Sequence, residues 1–341
     1  MYIRTEAREP DFRVLSLDGG GMRGIFTASF LATVEELARA PVRGFFDLIV
    51  GTSTGGILGL ALAFGIPAQT ILDLFLEHGA RVFGRPRRLR MLLRPKHDGR
   101  PLQRVLREIF GERTLNDAVV PVCIPSYELT NSYPRIWKDR HARELPRISD
   151  QPAWKIALAT SAAPLYLPGR QVVDGDSHVD GGLFANNPTL VGLTEAVRYF
   201  GRPLGRIRIL SIGAGERAVR IPHDRARRMG MWGWHTALYE HMLIAQARAV
   251  HEIVTRLLSP GQYERVNIPL EHPYPLDDHR AARALREPGA QEARTRFPLI
   301  KERFLFAPAT LGREQKAAVE AECRRNGTVA GVHTGSGSGR K

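Results

Sequence analysis

The sequence predicts an α/β fold of three layers, a mainly parallel central sheet flanked by helices on both faces. Three observations predict it. Apolar strand-like runs alternate with helix-periodic segments in a βαβα order. Two of the strand ends pass directly into glycine-rich turns, Asp18-Gly19-Gly20-Gly21-Met22-Arg23-Gly24 and Gly51-Thr52-Ser53-Thr54-Gly55. With 341 residues, 43% of them hydrophobic, the chain can fill a large core and is not of a disordered class.

Phe12–Leu17 is a short apolar run ending at Asp18-Gly19, as a buried strand ends. Residues 25–39 place Phe26, Phe30, Leu31, Val34 and Leu37 at helical spacing. Residues 46–50 give a second buried strand. Residues 56–63 are apolar and small, like a buried helix. Residues 68–82 give another helix, with Ile71, Leu72, Phe75 and Leu76 on one face. A basic stretch covers 85–107. Strands are expected at 119–124 and 207–212, and helices at 153–162, 188–199, 235–258 and 311–325. In the helix over 188–199, Leu190, Leu193 and Val197 are expected to point inward, after a proline at a favourable first position. Residues 269–275 read as a loop. There is no internal repeat and no clean linker, so residues 1–325 are expected to form one domain, with a motif core over 12–212 and a helical part over 213–325. The Gly/Ser-rich residues 326–341 are expected to be a disordered tail.

No apolar run reaches the ~18 residues of a membrane span, and residues 1–12 have no apolar core of a secretory signal. Two cysteines, Cys123 and Cys323, build no disulfide framework. They read as a core thiol in a strand and a helical thiol of a cytosolic protein. The net charge of +14 admits an anionic membrane, an anionic ligand or nucleic acid, or reflects only an arginine-rich host. The basic clusters carry no recognised nucleic-acid reading motif. Residues 85–96 combine dense Arg with Met and Leu, and residues 225–234 set Arg225, Arg227 and Arg228 beside Met and Trp. Both suit a lipid surface and equally suit a solvated face or a capped core.

The chemistry sits in the two turns. A serine hydroxyl needs exposure, a base, and donors for the oxyanion. Gly-x-Ser-x-Gly after a strand presents Ser53 on a tight turn at the positive end of the next helix, with Gly51 and Gly55 allowing close backbone passage. The loop Gly19–Gly24 clusters backbone N–H groups at a helix start. It also matches the dinucleotide pattern Gly-x-Gly-x-x-Gly. That reading fails because no strand ending in an acidic residue lies ~20 residues further on; residues 39–44 there form a loop. A Walker-type loop fails for want of Gly-Lys-Ser/Thr. The loop is better read as an oxyanion hole formed by Gly19, Gly20, Gly21, Met22, Arg23 and Gly24. None of the eleven histidines lies in a strong motif. His78 reads as a helix end, and His241 and His251 as helix surface. Asp180, in the turn Asp180-Gly181-Gly182, can approach another backbone closely. Burial would raise its carboxyl above the reference value of ~3.9 and make it a better base.

These three blocks, in this order, resemble the signature blocks of the patatin-like phospholipases, as do residues 159–164 and 185–188. The resemblance covers about 12–212. It implies a Ser–Asp dyad with Ser53 as nucleophile and Asp180 as proton acceptor, a glycine-rich oxyanion hole, and no metal or other cofactor for the chemistry. Within the family, the blocks at 12–24, 46–56, 77–79 and 181–188 look especially like CapV-type phospholipase effectors of bacterial CBASS antiphage systems. That implies a signal-gated phospholipase, activated by a cyclic dinucleotide such as 3′,3′-cyclic GMP-AMP. It would act peripherally on inner-membrane phospholipid from the cytoplasm, with nucleic acid not a partner and a homo-oligomer open. A lipase without nucleotide control and a nucleotide-binding module using Gly19–Gly24 are the alternatives.

Overall fold

The computed structural model describes residues 11–84, 94–139, 141, 149–173, 175–216, 220–270, 272, 274–279 and 281–306. The expected helix at 311–325, the tail at 326–341, Cys323 and most of the basic run at 85–96 lie outside the described residues.

Six strands follow one path across the sheet, β4-β3-β2-β1-β6-β7, and a seventh, β5, pairs with β3. The strands are β1 (Phe12–Leu17), β2 (Leu48–Gly51), β3 (Val122–Glu128), β4 (Tyr133–Lys138), β5 (His178–Asp180), β6 (Ile207–Ile212) and β7 (Tyr263–Val266). The pairs β1–β2, β1–β6, β2–β3 and β6–β7 are parallel, while β4 and β5 run antiparallel to β3. All six residues of β1 are buried, as a central parallel strand covered on both faces requires. Its side chains alternate between two cores. Leu15 and Leu17 face one cluster with Ile49, Phe26 and Leu58. Phe12 and Val14 face the other with Leu48, Leu193, Val250 and Val254.

The first core is covered by α1 (Gly24–Ala38), α2 (Thr54–Ala63), α3 (Ala68–Phe83), α4 (Arg100–Phe110), α5 (Ala153–Thr160) and the later α10 (Ala281–Phe304). The second is covered by α7 (Thr189–Arg198) and α9 (Met231–Leu257); α6 (Gly182–Ala185) and α8 (His223–Ala226) are single turns. All ten residues of α2 are buried, so this apolar helix is core on every side.

The structure departs from the expected pattern in identifiable places. The strand expected at 119–124 is shifted to Val122–Glu128 and contains Pro125. In α7 the inward residues are Leu193 and Ala196, whereas Val197 is exposed. The helix α10 has Pro288 and Pro298 inside it, which disguise it in the sequence. It forms because it packs closely along α1: a Cβ on Gly289 would stand 2.4 Å from the Phe26 carbonyl oxygen.

One feature of the sheet positions the site. β4 covers one edge of β3 over Cys123–Glu128. The other edge is shared: β2 pairs with Val122 and Cys123, and β5 pairs with Ser126–Glu128. Because β2 is parallel to β3 and β5 antiparallel, their C-terminal ends run toward each other, nose to nose, across Ile124 and Pro125.

Candidate active site

Ser53 follows the end of β2 and caps α2, with φ 55° and ψ −124°. That backbone region favours glycine, so a serine held there is strained. The surrounding fold imposes it. A Cβ on Gly51 would meet the Gly55 carbonyl oxygen at 2.2 Å, and one on Gly55 would meet that of Leu17 at 2.3 Å. The Ser53 N–H donates to Thr160 Oγ1 at 2.9 Å, and that hydroxyl donates to the Pro125 carbonyl at 2.5 Å. Thr160 is a positioning residue that the motif reading did not single out, although it lies in the quoted block 159–164.

Asp180 ends β5. Its Oδ2 accepts the Ser53 hydroxyl at 2.6 Å, and its Oδ1 accepts the Gly182 N–H at 2.7 Å. Gly181 is required here, since a Cβ would meet the Pro125 carbonyl oxygen at 2.3 Å. Burial pushes the Asp180 carboxyl up to about 7, against the opposing pull of the two hydrogen bonds. Serine and carboxylate, 127 residues apart in sequence, thus form a buried pair with no histidine between them.

The glycine loop lies beside Ser53. A Cβ on Gly19 would stand 3.1 Å from Ser53 Cβ. The N–H of Gly19 donates to the Asn186 carbonyl, that of Met22 to Leu276, that of Arg23 to Gly20, and that of Gly24 to Gly21 and Met22. Among the described residues, the N–H groups of Gly20 and Gly21 donate to none. Only these two of the six expected loop positions therefore keep a donor for an incoming oxyanion. Gly21 has φ 55° and sits against the Leu276 carbonyl, 2.2 Å from where its Cβ would be, so glycine is needed there. The loop is anchored at its start by Asp18, held at 2.7 and 2.5 Å by both terminal nitrogens of Arg265. No sequence signal linked these two residues, which lie 247 positions apart.

Ser53, Asp180, Gly20 and Gly21 open into a deep apolar pocket walled by α3, α4 and α9, with Ile71, Phe75, Leu102, Val105, Leu106 and Tyr239 among its lining. His78, read from the sequence as a helix end, is instead buried inside α3 and lines this pocket. A second, polar pocket adjoins the first through Asn186 and Leu243 and is lined by Asp18, Gly19 and Arg23 together with residues of α9 and β7. His251, read as helix surface, is half-buried in it.

Two clusters elsewhere bring three metal-ligating side chains together, Cys123, His141 and Glu195, and Glu128, Asp176 and His178. Each already holds a cation. Lys138 Nζ lies 2.5 Å from Glu195, and Arg135 lies 2.6 Å from Glu128. They are read as buried ion networks. Burial pushes the Cys123 thiol up to about 11, which removes it as a rival nucleophile.

The patatin-like phospholipase family profile matches residues 15–193, the stretch that carries Ser53, Asp180 and the glycine loop. The chain belongs to this family. It is 35% identical over 274 residues to a cGAMP-activated phospholipase of Vibrio cholerae, covering 72% of this chain and 76% of that one. It is 35% identical over 261 residues to a cGAMP-activated phospholipase of Pseudomonas aeruginosa, covering 75% and 78%. Among solved structures, VipD from Legionella pneumophila aligns with a TM-score of 0.44 at 12% identity, over 86% of this chain and 67% of that one. No helix among the described residues of this patatin-like chain is long and apolar enough to cross a membrane.

Proposed function

We propose that this patatin-like phospholipase cleaves acyl esters of membrane phospholipids with a Ser53–Asp180 dyad. We propose further that a cyclic dinucleotide activates it, as the names of its relatives state for those proteins, and that it serves as a CBASS antiphage effector acting on the inner membrane from the cytoplasm. The observation that carries the reading is the 2.6 Å hydrogen bond from Ser53 Oγ to Asp180 Oδ2 at the head of an apolar pocket.

The chemistry follows from that geometry. An acyl chain enters the apolar pocket and brings its ester carbonyl to Ser53. Asp180 takes the hydroxyl proton as Ser53 Oγ attacks, and the N–H groups of Gly20 and Gly21 receive the oxyanion. Protonated Asp180 returns the proton to the departing lipid alcohol. Water then repeats the sequence on the acyl-enzyme, with Asp180 again the base. A carboxyl near 7 suits this work, since a substantial share of it is ionised at neutral pH and it is yet basic enough to accept a proton.

The dyad hydrogen bond is complete within the chain itself, which favours as a second reading a lipase that needs no activator. Both readings are tested by release of fatty acid from phosphatidylglycerol vesicles, with and without 3′,3′-cyclic GMP-AMP and related cyclic dinucleotides. Activation by a cyclic dinucleotide supports the first reading; equal hydrolysis in all conditions supports the second. A folded Ser53→Ala protein is expected to release none, and substantial turnover by it would remove the dyad.

A further inference from the structure

The glycine loop contributes to two pockets. Gly20, Gly21 and Met22 line the apolar one with Ser53. Asp18, Gly19 and Arg23 line the polar cavity of about 360 Å³, which shares Asn186 and Leu243 with the first and falls within the range of about 300–1,000 Å³ usual for small-ligand sites. Its guanidinium lining is drawn from three separate segments, Arg23 on the loop, Arg248 on α9 and Arg265 on β7, with the His251 ring of α9 beside them. Asp18 and Glu216 are the acidic members of the lining, so cations outnumber them. Asp18 is committed to Arg265. Arg248 is exposed and pairs with Glu216 at the cavity edge, a link that an incoming anion can replace. Asn267 Oδ1 accepts the Gly215 N–H at 3.1 Å, which leaves its amide NH₂ to donate.

The cavity is also wired to the oxyanion donors. Arg23 contacts the Gly20 carbonyl twice, through its backbone N–H at 3.1 Å and its Nε at 3.3 Å. That carbonyl belongs to the same rigid peptide plane as the Gly21 N–H. A pull on the Arg23 guanidinium therefore rotates the Gly20–Gly21 peptide and re-aims a donor of a residue that lines the Ser53 pocket.

We infer that this polar cavity binds a phosphodiester of the activating cyclic dinucleotide, through Arg248, His251 and Arg23, and that occupancy is passed to the oxyanion donors through the Gly20–Gly21 peptide. The inference rests on the regulated reading above and assigns it a place. A phospholipid headgroup offers the same phosphodiester. Competition with glycerophosphoglycerol separates the two sources.

The test uses the full chain and two α9 variants outside the catalytic machinery, Arg248→Glu and His251→Gln. Binding of 3′,3′-cyclic GMP-AMP is measured by calorimetry, with glycerophosphoglycerol as competitor, and hydrolysis of a soluble short-chain ester is measured in parallel. Arg248→Glu is expected to weaken binding at least ~10-fold, the effect of losing one charge-assisted contact and adding a repulsion. Basal ester hydrolysis should be unchanged in both variants, activation should fall with binding, and Ser53→Ala should bind like the wild type. Wild-type affinity in both α9 variants would overturn the assignment while leaving nucleotide activation intact. Displacement by glycerophosphoglycerol at equal concentration would make the cavity a headgroup site and also overturn it. A wild-type chain that hydrolyses ester but binds none of the cyclic dinucleotides would overturn both the assignment and the regulated reading.

Discussion

Replacing Asp180 by Asn should abolish hydrolysis and at the same time stabilise the fold in a pH-dependent way. The Asp180 carboxyl moves from an ordinary 3.8 to about 7 because it is buried. The folded state therefore holds a proton that the unfolded chain releases between those two values. Stability from this group is fully present below 3.8, is lost as pH rises toward 7, and stays lost above it. A shift of roughly three units at 1.36 kcal/mol each makes the cost about 4 kcal/mol at pH 8. An Asn has nearly the same shape, still accepts the Gly182 N–H, and carries no charge at any pH. Urea unfolding of both proteins from pH 4 to pH 8 reads the difference. The two should have similar stability at pH 4, with the Asn variant ahead by up to about 4 kcal/mol at pH 8. A stability difference that stays constant across this range would refute the claim that Asp180 is desolvated by the fold.

The same carboxyl predicts that wild-type kcat/KM on a soluble ester rises with pH through a midpoint near 7, where the base ionises; a midpoint near 4 would show an unperturbed base. Ser53→Gly should lose hydrolysis but gain about 1 kcal/mol of stability, because glycine occupies φ 55°, ψ −124° without strain; a thermal melt below that of the wild type would contradict this. Arg265→Ala leaves Asp18 buried without its partner and should cost about 3–5 kcal/mol, read by urea unfolding; a loss under 1 kcal/mol would deny the anchor. Val105→Phe narrows the α4 wall of the apolar pocket and should shift preference toward shorter acyl chains by about 10-fold, on the order of a methylene or two of binding. An unchanged chain-length profile would mean that the acyl group lies elsewhere.

Much of the candidate site was legible because each part is local. Gly51 and Gly55 around Ser53, and the glycines of the loop, declare tight backbone passages within a few residues. The two parallel strands that lead into these turns are mostly apolar, Phe12–Leu17 interrupted by Arg13 and Ser16 and Leu48–Gly51 unbroken, and both end at glycine turns. What was hidden depends on distant partners. β5 has three residues, His178–Asp180, too few for any periodicity, and exists because β3 offers it half an edge. Tyr133–Lys138 of β4 begins with exposed residues and carries a proline, so it gives no alternating pattern. Residues 281–304 look broken by Pro288 and Pro298, yet packing against α1 keeps them helical. The polar cavity takes its basic side chains from residues 23, 248, 251 and 265, and no stretch of sequence contains it.

The meeting of β2 and β5 on one edge of β3 also fixes when the Ser53–Asp180 pair can first form. A growing chain exposes the serine turn early, but the carboxylate arrives 127 residues later. It reaches the serine only after β3 has formed and β5 has docked antiparallel onto its free half. Until then Ser53 has no carboxylate to accept its hydroxyl proton. A truncated or prematurely released product ending before Asp180 would therefore lack the pair, which forms in one step only once more than half of the chain has been made.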